Sequence, residues 1–135
     1  MGLAERRVVK EFQDKHLPKL MEELEKAAGF AVPIEVAWDQ LAVEGDSRLY
    51  LEAWPEIYFK PIIEACRQIS RDEIGKEALR EGFKRVELRN SKDASSPGRA
   101  ITFDNGTLTI DHSLSNVGDT AERAKYVVEI VEKAL

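Results

Sequence analysis

The dipeptide Asn105-Gly106 constrains this chain more than any other feature, because Ile101 and Phe103 precede it and Leu108 and Ile110 follow it. Both turn residues accept the positive φ of a type I′ turn, whose twist matches that of two flanking strands. Residues 101–110 are therefore predicted to form a tight antiparallel hairpin. Just upstream, Val86 and Leu88 alternate with Arg85, Glu87 and Arg89, which adds a half-buried strand.

The same period of two occurs earlier in the chain. Val32, Ile34, Val36 and Trp38 alternate with Pro33, Glu35, Ala37 and Asp39. Leu49, Leu51 and Ala53 alternate with Arg48, Tyr50 and Glu52, and Val43-Glu44-Gly45-Asp46 has the composition of a turn. A second antiparallel hairpin is expected here, with Pro33 marking its first strand as an edge or entry strand.

Helical spacing fills the remaining segments. Val9, Phe12, His16, Leu20 and Leu24 keep one face from Leu3 to Ala28, with Gly29 as the stop and Pro18 as a kink within one helix. Tyr58, Ile62, Ala65, Cys66 and Ile69 mark a helix that starts at either Pro55 or Pro61. Ser70 and Glu73 have capping-box spacing and open a shorter helix that Gly82 ends. Asp119, with Glu122 three residues on, caps a last helix whose stripe is Ala124, Val127, Val128, Val131 and Leu135.

The resulting order is α-β-β-α-α-β-β-β-α. Elements that come in runs imply an α+β domain, an antiparallel sheet of about five strands with helices packed on it. The 135 residues suffice for one such domain, spanning 1–135. The ten-residue stretch Asn90 to Arg99, rich in Ser, Asp, Pro and Gly, reads as its most exposed and mobile loop.

A net charge of −5 opposes any general affinity for nucleic acid or anionic membrane. The first twenty residues are studded with charge, and Cys66, the lone cysteine, has no partner for a disulfide, so a cytoplasmic protein is expected. No cofactor or metal motif is present. Cys66 lies on a buried stripe, which argues against a reactive thiol, and His16 reads as a core or boundary residue.

His112 is the one candidate for acid–base chemistry, with Asp111 or Asp104 as helper. Neighbours on a strand point to opposite faces, so Asp111 is not placed to orient His112. The plainer reading makes Asp111-His112-Ser113 the exposed polar end of a strand.

Charge distribution carries more weight. Residues 29–56 hold six acids against Arg48 alone, whereas residues 57–99 carry a net +3. Five of the ten aromatics, Trp38, Tyr50, Trp54, Tyr58 and Phe59, fall between positions 38 and 59. Carboxylates beside aromatic rings suit a basic protein or peptide partner, which points to a surface built from Tyr50, Glu52, Trp54 and Glu56, with Tyr50 exposed. The expectation is a non-catalytic interaction or regulatory module. The alternative is a small enzyme or ligand-binding domain with a pocket between sheet and helices that uses His112. The segregated charges and two open sheet edges also suggest a homodimer.

Overall fold

The computed structural model describes residues 1–135, in which the helices and a four-stranded sheet share one hydrophobic core. The chain begins with α1 (Leu3–Lys15) and α2 (Leu17–Ala28), followed by β1 (Ile34–Val36) and the short α3 (Trp38–Leu41). A single 3-10 turn, Ser47–Leu49, leads into α4 (Tyr50–Trp54), a π-helical turn (Pro55–Phe59) and α5 (Lys60–Ile69). Then come α6 (Glu73–Gly82), β2 (Arg85–Arg89), α7 (Pro97–Ala100), β3 (Ile101–Asp104), β4 (Thr107–Asp111) and α8 (Thr120–Ala134). No helix is long and apolar enough to cross a membrane.

The expected hairpin at Asn105-Gly106 is present. Their φ values of 49° and 81° are both positive, and Phe103 and Leu108 sit opposite each other across β3 and β4. Mixed α+β content therefore holds, but the sheet has four strands in the order β1-β2-β4-β3, not five antiparallel ones. β1 runs parallel to β2, and β2 runs parallel to β4. Only β3 is antiparallel.

The missing strand is the stretch around Leu49–Ala53, which is helical. Its alternating residues Leu49 and Leu51 are exposed and half-buried, while Tyr50, Ala53, Trp54, Ile57 and Tyr58 are buried. That stripe has helical period and continues through Pro61, Ile62, Ala65, Cys66 and Ile69, so a run of about twenty residues packs one face into the core. Neither Pro55 nor Pro61 starts this helix, because both lie inside it. The π turn absorbs them, with Lys60 N–H donating to Pro55 O five residues back. Trp38 likewise leaves the strand early and opens α3.

Three smaller corrections have local causes. The first helix is broken at His16 into α1 and α2, because the ring of Pro18 clashes with a carbonyl four residues back in an unbroken helix. Asp72, not Ser70, caps α6, accepting from Gly75 N–H at 2.8 Å, while Ser70 Oγ donates to Ala27 O on α2. The stretch from Asn90 to Arg99 runs into α7, and its Ala94 is buried, with Ala94 O accepting from Ser113 N–H at 2.7 Å.

One core of 31 buried residues joins the inner side of the sheet, Val86, Leu88, Leu108, Ile110 and Ile101, to the helices. The outer side carries Glu35, Arg85, Glu87 and Arg89, tied into a ladder in which Arg85 bridges Glu35 and Glu87, and Arg89 bonds Glu87. Phe12 is the hub of an aromatic cluster. It packs edge-on against Trp54 at 5.2 Å between centroids and also meets Phe59, Trp38 and His16, while Tyr50 stacks on Trp54 at 4.4 Å. Phe12→Ala is expected to cost about 3–5 kcal/mol in urea unfolding, because four rings lose a shared neighbour. Ile74→Ala, on a side chain 81% exposed, should stay within about 0.5 kcal/mol of the parent.

Candidate functional site

The carboxyl ends of the three parallel strands converge, and two candidates sit there. Asp111 ends β4 on the outer side, and its carboxylate accepts from Ser91 N–H at 2.7 Å and from Ser91 Oγ at 2.5 Å. Burial works to raise its pKa, but the Ser91 hydroxyl and amide, with Lys92 and Arg89 nearby, hold it below the ordinary value. Asp111 is thus an ionised, occupied acceptor.

His112 faces the other way, as strand alternation requires, and is fully buried rather than exposed at the strand exit. Tyr58 Oη donates to its carbonyl at 2.5 Å, and its N–H donates to Arg89 O. Nδ1 lies 2.6 Å from Ser113 O. A carbonyl only accepts, so Nδ1 carries the proton and Nε2 is left bare, without a hydrogen-bond partner. Burial lowers the His112 pKa first, the Arg123 cation adds to this, and the Ser113 and Ser95 carbonyls and Asp119 oppose it. Asp104 belongs to a different place. It is exposed at the far end of β3, opposite Thr107 at the start of β4, roughly 17 Å along the strand from His112 at about 3.3 Å per residue.

The proposed acidic and aromatic surface is also divided. Tyr50 and Trp54 are fully buried, and Tyr50 Oη donates to Val43 O at 2.5 Å. Burial, with Glu5 and Asp46 nearby, pushes the Tyr50 phenol up to about 12. Glu52 is exposed. Glu56 is half-buried, accepting from Lys60 Nζ and Thr120 Oγ1, both at 2.6 Å, which holds its carboxyl below the usual range. Its carboxylate therefore lies at the N-terminus of α8, where the helix dipole favours negative charge. Cys66 is buried, and burial pushes its thiol up to about 12, away from reactive thiolate.

The residue that sequence reasoning missed is Arg123, only 1% exposed. Its guanidinium donates to Asn116 O at 2.8 Å, Val117 O at 2.9 Å and Glu56 O at 3.2 Å. Burial lowers its pKa while Asp119, Glu56 and Tyr58 raise it. The signal was present in the spacing, since Arg123 is in phase with Val127 and Val131 on the buried stripe of α8.

A cleft of about 940 Å3 lies elsewhere, where α5 and α8 run side by side with α2 at one end. Its floor is Ile63, Ala121, Ala124 and Val128, and its banks carry Lys60, Glu64, Arg67, Lys125 and Glu129. No three His, Cys, Asp or Glu side chains converge in a way that would hold a metal ion. Comparison with protein-family models, with curated proteins and with solved structures finds no match.

Two outcomes are expected from this geometry. Arg123→Met should lose about 3–5 kcal/mol in urea unfolding, because three inward carbonyls lose their donor. An unchanged midpoint would sink the assignment of Arg123 as a staple. For His112, the unfolded chain takes up a proton near pH 6.5 and the folded chain only at lower pH. Stability present above pH 6.5 is therefore lost as pH falls from there towards the folded value. His112→Asn should flatten that part of the stability–pH curve, measured from urea midpoints, and an identical slope would count against it.

Proposed function

We propose that this chain is a non-catalytic interaction or regulatory module that binds another protein through the groove along α5 and α8. The make-up of that groove carries the reading: an apolar floor of small and branched side chains between two charged banks. Such a shape suits a protein surface with an apolar centre that meets the floor and charged flanks that meet the banks. This surface replaces the one around Tyr50 and Trp54, whose rings belong to the core. The candidate acid–base groups are meanwhile held in structure: the His112 ring is fully buried with Nδ1 on Ser113 O, and the Asp111 carboxylate accepts from Ser91. A lone buried thiol fits a reducing compartment such as the cytoplasm.

Amine-reactive cross-linking in cell extract tests the surface. Cross-links to another polypeptide should concentrate at Lys60 and Lys125 on the banks and be sparse at Lys10 and Lys26, which are exposed elsewhere. Ala121→Arg, at an exposed position on α8, should leave stability within about 0.5 kcal/mol while placing a long side chain across the floor. It should lower the Lys60 and Lys125 yields several-fold. Equal yields at all four lysines, or yields indifferent to Ala121→Arg, would remove the groove from consideration.

A further inference from the structure

The charges beside the groove are ordered. Near one end of the helix pair, Thr120 Oγ1 donates to Glu56, and near the other Arg71 lies 3.9 Å from Glu132, so α5 and α8 run parallel. Counting inward from these contacts puts Glu64 beside the turn of α8 that holds Lys125, and Arg67 beside the turn that holds Glu129. One level therefore reads negative then positive across the groove, and the next reads positive then negative. All four side chains are exposed.

A uniformly charged partner, whether a basic peptide, an acidic tail or a nucleic acid, would meet as much repulsion as attraction on this pattern. A surface with the same pattern, turned through 180°, meets attraction at all four positions. Resting on the reading of the groove as a protein-binding surface, we propose that its occupant is a second copy of this chain, docked about a two-fold axis that crosses the groove.

That axis lays each α8 antiparallel to the α8 of its mate and each α5 antiparallel to α5. Lys125 then faces Glu129 of the partner subunit, and the Glu64–Arg67 pair that each subunit makes at 2.9 Å lies against the same pair of its mate with opposite signs opposed. Running the axis along the groove would instead align the helices in the same direction, with their dipoles opposed to close association. Ala121 and Ala124 keep the floor low enough for close helix approach, and half-buried Val128 lies beside the axis.

Light scattering on the purified chain tests this directly. The parent protein should give about twice the 15.3 kDa monomer mass at micromolar concentration, and less as salt is raised. Lys125→Glu and Glu129→Lys, both at exposed positions, should each weaken association by about ten- to a hundred-fold, since each reversal acts twice across the axis. Mixed in equal amounts, the two variants should associate as the parent does, because the mixed pair regains opposite signs at both contacts. A parent that stays at 15.3 kDa overturns the proposal, as do single reversals without effect or a mixture no better than its components. A monomeric parent whose Lys60 and Lys125 cross-links in extract still respond to Ala121→Arg overturns the second copy alone. A dimer indifferent to Ala121→Arg overturns the groove with it.

Discussion

Because Pro61 has no N–H to offer, the carbonyl of Glu56 cannot extend the five-residue hydrogen-bond step made by Lys60 and Pro55. It takes a donor from α8 instead, Arg123 Nη2 at 3.2 Å, while Thr120 Oγ1 holds the carboxylate of the same residue. The same guanidinium reaches Asn116 and Val117, so one side chain joins the irregular turn of the long helix to the loop leaving the sheet. A backbone defect in one helix thereby sets where a second helix must start. The parallel seating of α5 and α8, and the groove between them, follows from that anchor.

The sheet meets a different constraint. Parallel strands usually have both faces covered, yet here the outer face of β2 is Arg85, Glu87 and Arg89. Charged side chains are tolerable because they pair along and across strands, with Glu35 on β1 continuing the ladder. Exposed pairs of this kind contribute little stability individually. Their effect is to keep a flat face polar, which leaves the buried inner face to define which way the sheet points.

What could be read from the sequence was what is decided locally. The β3–β4 turn, the strand at Arg85–Arg89 and the helix from Thr120 each depend on neighbours a few residues away, and each is found close to its expected place. Leu49–Ala53 failed because five residues alternating in polarity are also a fragment of a helical stripe, and only the longer window through Tyr58 distinguishes the two. Parallel pairing of β1 with β2 has no local signature at all. At the site level, the opposed facing of Asp111 and His112 was legible from alternation, whereas the burial of His112 depends on Tyr58, fifty-four residues away in sequence. The groove was invisible for the same reason, since its two banks meet only when α8 docks beside α5.

The partner strand of β1 lies about fifty residues downstream, Ile34 against Val86, whereas β3 and β4 are joined by two residues. Closing so long a loop costs conformational entropy before any ladder bond repays it, and the strand that repays it is only three residues long. Assembly therefore has a direction. The hairpin should close early, β2 should dock on β4 across the short α7 connection, and β1 should be added last, once the helices between it and β2 have collapsed. The same asymmetry bears on native-state fluctuation: amide protons on the three-residue β1 should exchange through local opening, and those on β4 only when the whole domain unfolds.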